Sequence, residues 1–274
     1  MNGRGYILEA MLAILTVCLG MLGLAVGSFL NLCIDRLPQG KSIVKPGSHC
    51  DSCNESLKAI DLVPVFSYIW LRGRCRYCGA RIPLRSLVVE FAAAAIFAFL
   101  AWHYGLSREL AFAVIYAAIF IVIFAIDLEQ ELILNVVVFP AMVLAFAFAF
   151  FWGGFEEFWP KAGPGFVLSA LLGGAVGFVL MLLPYLLTRG RGMGYGDVKL
   201  AAFIGLMSGF PLVVVGLLVG IVAGGIVAIF LLLSRLVKSR KAAIPYGPFL
   251  AVGAMAALIW GDRIFHWWWT MGSR

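Results

Sequence analysis

Apolar residues along this chain fall into blocks, most of them long enough to cross a membrane as a helix of about 17–25 residues. The blocks lie near 7–32, 87–103, 110–126, 133–152, 165–188, 198–210, 212–234 and 246–261. The pattern predicts an all-α polytopic membrane protein with about eight transmembrane helices. The sixth block is short, and Gly209 and Pro211 mark a tight turn between it and the seventh. The first block is too long for the apolar core of a signal peptide and further spans follow it, so it is expected to remain as the first helix. Three regions follow: a first transmembrane helix over 1–32, a polar insert over 33–86, and a membrane core over 87–274.

Composition supports this class. The chain is 63% hydrophobic and 13% charged, whereas soluble domains carry about 25% charged residues. The net charge of +7 would suit nucleic acid, but its distribution points to a bilayer. Of the 21 Lys and Arg residues, 16 fall in the stretches 33–86, 189–199 and 235–245, which follow odd-numbered blocks. This asymmetry is the positive-inside signature. It predicts that these stretches face the cytoplasm and both termini the opposite side. Trp267, Trp268 and Trp269 read as an interfacial anchor on that far side. The basic loops are expected to meet anionic lipid, and no nucleic-acid partner is expected. No inverted repeat or matched pair of broken helices supports a transporter.

The insert carries Cys50-Asp51-Ser52-Cys53 and Cys75-Arg76-Tyr77-Cys78. Two such pairs let four thiolates converge on one tetrahedral ion, and zinc is the expected metal. The 21 residues between the pairs lie just beyond the usual zinc-ribbon range. Disulfides are the rival, disfavoured in a reducing compartment. A closed four-thiolate site would build the loop and leave the chemistry elsewhere. Gly79 suits a turn with positive φ. His49 is a possible alternate ligand, while Cys18 and Cys33 read as apolar packing residues.

Two aspartates at the edges of apolar blocks are the candidate chemistry. Asp127 closes the third block and Asp197 opens the sixth, in Gly194-Tyr195-Gly196-Asp197. Carboxylates so close to hydrocarbon are costly and mark a functional site by default. Two that meet can share a proton, one serving as general base on water and the other as general acid. The bland alternative for Asp197 is an acid at a helix N-terminus. Gly190, Gly192, Gly194 and Gly196 resist regular helix and allow close backbone approach. Lys199 either tunes an aspartate or reaches headgroups. Glu90 either pairs with a loop arginine or contacts substrate, and Glu129 and Glu131 read as solvated. The stretch Ile244-Pro245-Tyr246-Gly247-Pro248 blocks a regular helix start. Its free backbone groups, those of Gly247 among them, are candidates to bind an extended peptide.

Over nearly its whole length the chain resembles the bacterial type IV prepilin peptidases. The resemblance is carried by Gly27-Ser28-Phe29-Leu30-Asn31, Arg36-Leu37-Pro38, the cysteine block with Leu71-Arg72-Gly73-Arg74-Cys75, Gly194-Tyr195-Gly196-Asp197 and Pro245-Tyr246-Gly247-Pro248-Phe249. It implies that Asp127 and Asp197 are catalytic and that the substrates are prepilins or pseudopilins with a short basic leader. It also implies S-adenosylmethionine as the donor for methylating the new N-terminus. The chain departs from the family at Leu134 and Asn135, where members commonly carry Pro-Asp.

Overall fold

The computed structural model describes residues 3–152, 164–191, 193–234 and 245–272. Gly192, Ile244, the basic residues of 235–241 and the side chain of Trp269 lie outside the described residues. The elements are α1 (Gly3–Arg36), α2 (Phe66–Trp70), α3 (Leu84–Tyr104), α4 (Arg108–Gln130), α5 (Asn135–Trp152), α6 (Pro164–Thr188), α7 (Tyr195–Ser208), α8 (Leu212–Leu233) and α9 (Gly247–Gly272). Among the described residues no strand forms, only two isolated bridges in the insert.

Six of these helices, α1, α3, α4, α6, α8 and α9, are long and apolar enough to cross a membrane. Two of the eight expected blocks form shorter helices. The α5 helix falls short of the length of the other six. The α7 helix has 14 residues, about 21 Å at 1.5 Å per residue, against a hydrocarbon core of about 30 Å. Gly209 ends it with a φ of 73° and an amide bonded to the Gly205 carbonyl, as the sequence led one to expect.

The chain divides into two compact units, 1–122 and 123–274. In the first, α1 packs along α3. At Gly23 an added Cβ would lie 2.6 Å from the Ala93 carbonyl oxygen. Asn31 donates to the Ser86 carbonyl, and Arg85 pairs with Asp35. The insert between these helices is held by Arg36, whose guanidinium donates to the carbonyls of Ser42, Pro46 and Gly47.

In the second unit α7 is the enclosed element, packed by α5, α6, α8 and α9. Val198, Leu200, Ala201 and Phe203 are fully buried. A helix apolar on every side belongs inside a bundle. Small residues set its distance from α6: a Cβ on Gly205 would run into the Gly173 carbonyl. Such contacts draw membrane helices together where lipid offers no hydrophobic drive.

Gly205→Val is therefore expected to destabilise the protein by about 1–3 kcal/mol through overpacking, read as a lower melting temperature in detergent. Gly225→Ala, whose Cβ would meet nothing within 4 Å, is expected to leave that temperature unchanged or slightly raised.

Candidate functional site

The four cysteines sit on two matching turns. The Cys50 amide bonds the Glu55 carbonyl and the Asn54 amide bonds the Cys50 carbonyl; in the second turn the Cys75 amide bonds Ala80 and the Gly79 amide bonds Cys75. The residue four past each leading cysteine has positive φ, 56° at Asn54 and 73° at Gly79. Sequence reasoning found Gly79 and missed Asn54, although asparagine tolerates that region better than most residues. The sulfurs of Cys50, Cys53, Cys75 and Cys78 all lie within 4.8 Å of one another. Cys50 Sγ and Cys78 Sγ are 3.8 Å apart. Four thiolates at about 2.3 Å from one zinc would be separated by about 3.8 Å along each tetrahedral edge, so this donor set can hold a metal ion. Backbone amides of Cys53 and Ser52 lower the Cys50 thiol to about 6.

His49 turns its Nδ1 toward the Gly47 carbonyl at 3.0 Å and stands outside the cluster. Cys33 is buried as expected, whereas Cys18 is exposed on α1. Asp61, not singled out in the sequence, clasps the second turn: it accepts from Arg76 Nε at 2.6 Å and from the Tyr77 hydroxyl at 3.1 Å.

The two aspartates belong to the second unit and both are buried, Asp127 at 4% exposure and Asp197 at 6%. Asp127 lies in the last turn of α4, and its Oδ2 accepts the buried Gly247 amide at 2.9 Å. Asp197 lies in the first turn of α7, and its Oδ2 accepts the Gly194 amide at 3.2 Å. The second is the helix-start geometry that the bland reading anticipated, but on a buried carboxylate. Asp197 lies within the electrostatic field of Asp127, and Tyr246 lies within that of Asp197. The arrangement is two enclosed acids, each fixed by one backbone donor.

The glycines serve approach. A Cβ at Gly247 would stand 2.6 Å from Asp127 Oδ2, and one at Gly196 would stand 2.8 Å from Ile133 Cβ. The irregular stretch is shorter than the glycine run suggested. Arg189 and Gly190 turn the chain with positive φ, Gly194 is extended, and α7 begins at Tyr195, so that Gly196 is helical. Pro245 precedes the start of α9, and the Gly247 amide, read from the sequence as free for a peptide, is taken up by Asp127.

Three other acids and one lysine differ from expectation or refine it. Glu90 accepts the Val65 amide at 2.7 Å and a hydrogen bond from the Ser28 side chain, and among the described residues it pairs with no loop arginine. Glu131 lies beyond α4 with a φ of 55°, its amide bonded to the Asp127 carbonyl. Glu129 and Glu131 are exposed. Lys199 Nζ donates to Asn135 Oδ1 at 2.7 Å and lies over the rings of Tyr195 and Phe139. It is thus held by α5 and its own helix.

Comparison with known proteins agrees across the chain. Residues 21–104 match the family described as Bacterial Peptidase A24 N-terminal domain, and residues 113–229 match the Type IV leader peptidase family. A prepilin leader peptidase/N-methyltransferase of Pseudomonas putida is 32% identical, with 89% of this chain and 90% of that protein covered. Proteins of the same name from Pseudomonas aeruginosa and Bacillus subtilis are each 30% identical. They cover 90% and 88% of this chain, and 91% and 93% of their own lengths are covered. No solved structure matches.

The cluster geometry leads to a direct expectation: purified protein carries one metal ion per chain by elemental analysis. Cys75→Ser is expected to bring that ratio close to zero, while Cys33→Ser leaves it unchanged.

Proposed function

Because the chain belongs to the type IV leader peptidase family, we propose that it is an intramembrane aspartyl endopeptidase in which Asp127 and Asp197 cut the leader from a prepilin or pseudopilin. The observation that carries this reading is the pair of buried carboxylates, each held through Oδ2 by a backbone amide. That leaves Oδ1 of each for water and substrate. The ionised carboxylate takes a proton from water as its oxygen attacks the scissile carbonyl carbon. The protonated carboxyl donates to the carbonyl oxygen, and the tetrahedral intermediate collapses with the C–N bond broken and a proton delivered to the leaving amine. Fixed donors and a low-dielectric wall make these charge shifts effective without reorganisation.

The relatives' names pair leader cleavage with N-methyl transfer. We extend that activity to this chain, with S-adenosylmethionine as donor. No strand, glycine loop and helix cradle of the kind that holds nucleotides forms among the described residues, and the methyl-transfer reading rests on kinship with those relatives. The cysteine insert, 33–86, is read as a zinc-built domain, the metal held by Cys50, Cys53, Cys75 and Cys78 and structural in role. With α5 and α7 counted as membrane-embedded segments, the core over 87–274 completes an eight-helix inner-membrane protein. Its insert is cytoplasmic and its termini face away, consistent with the distribution of Lys and Arg.

Cleavage of a purified model prepilin in detergent tests the dyad. Asp127→Asn and Asp197→Asn are each expected to lower the rate by at least about 100-fold with folding intact; a variant that still cleaves would remove its aspartate from the mechanism. Gly247→Ala, which pushes on Asp127, is expected to cost about 10-fold or more through misplacement of the carboxylate. Mass spectrometry of the product is expected to show one added methyl group when S-adenosylmethionine is supplied, and cleavage without that mass would limit the activity to the peptidase.

A further inference from the structure

The insert wears part of its apolar surface outward. Phe66, Ile69 and Trp70 share one face of α2 at i, i+3 and i+4, and are 70%, 64% and 83% exposed. Ile60 and Val63 extend the patch just before it. The opposite face carries Ser67 and Tyr68, which are half-buried, with the Tyr68 ring packed beside Gly73. Polar inside and apolar outside is the reverse of what water selects.

One tether and one marker set the height of this patch within the first unit. The Val65 amide, next to Phe66, donates to Glu90 Oε2 at 2.7 Å. Glu90 lies six residues into the membrane-spanning helix α3, about 9 Å along its axis. Side chains lean toward the helix N-terminus, so Val65 stands level with the first turns of α3. The paired charges of Asp35 and Arg85 mark the end of the same helices. The patch is thus held at the depth where headgroups give way to acyl chains, the level at which aromatic residues anchor. Exposed Arg72 and Arg74 follow Trp70 directly, and the stretch 33–86 holds nine Lys/Arg against four Asp/Glu. An apolar wedge with a basic flank is the composition of an interfacial membrane element.

We infer that residues 60–70 form a wedge seated in the acidic leaflet on the insert's side of the membrane. The wedge ties the four-cysteine insert down onto the bilayer. It does not depend on the proposed peptidase chemistry, and its test does not read that activity.

The full-length protein is placed in nanodiscs of phosphatidylethanolamine and phosphatidylglycerol. A photo-crosslinking p-benzoylphenylalanine replaces Phe66, Trp70 or, as a control on the polar surface of the insert, Glu55. Irradiation is expected to give phospholipid adducts, seen as intact-mass increments, at Phe66 and Trp70 about fivefold above the yield at Glu55. Adducts to a second copy or within the chain, or a lipid yield no higher than at Glu55, would overturn the wedge. A milder change supplies a second reading. The tryptophan emission lost in Trp70→Phe is the Trp70 signal, and phospholipid brominated on the acyl chain is expected to quench it about twofold or more. Quenching by aqueous acrylamide alone would place Trp70 in water and overturn the inference.

Discussion

A single hydrogen bond, from the Gly247 amide to Asp127 Oδ2, joins parts of the chain 120 residues apart. Neither group has an easy alternative. A backbone amide or a carboxylate left without a partner at membrane depth costs several kcal/mol. Proline at 245 and 248 removes two donors from that short stretch, which leaves the Tyr246 and Gly247 amides to serve it. The fixed φ of Pro248 suits the opening of α9. Glycine at 247 follows from the same contact, since any Cβ would press on the carboxylate. The bond thus selects the residue types of the Pro-Tyr-Gly-Pro turn and fixes the start of α9 to the end of α4.

Asp197 is fixed by a more local version of the device. Its partner amide, Gly194, lies three residues earlier, where the chain is still extended before α7. The 14-residue α7 starts at an exposed Tyr195 and turns inward at once, so that Asp197, its third residue, is already buried. Enclosure by its neighbours and the small residues between α6 and α7 therefore bury the acid within one turn of an exposed helix start.

Much of this was legible in the sequence. The apolar blocks located the long helices, the Gly209–Pro211 turn closed α7, and the CxxC spacing brought four sulfurs together. The two aspartates stood out because charge is rare in such blocks. What escaped were partners chosen by tertiary packing. Nothing local in the sequence signals that Glu90 will meet the Val65 amide, that Arg36 will gather three carbonyls, or that Asp61 will clasp Arg76 and Tyr77. The glycine run around Asp197 misled in extent, because glycine permits irregular backbone but does not forbid a helix whose packing against Ile133 requires the missing side chain.

Asn135 shows how a departure from a family pattern is absorbed. The amide oxygen accepts from Lys199, and the ammonium also lies 4.9 Å from the Tyr195 ring centroid and 5.7 Å from that of Phe139. Cation–π contacts stabilise such a charge by about 0.5–1 kcal/mol at exposed sites. Two residues past Asp197, Lys199 leaves the helix on a different face, at about 100° per residue. An acid at 135 would bind this lysine more strongly, but it would also neutralise it. The amide and the two rings hold the side chain in place while keeping its charge. The lysine is thereby anchored to α5, apart from the hydrogen bonds that fix the two buried carboxylates.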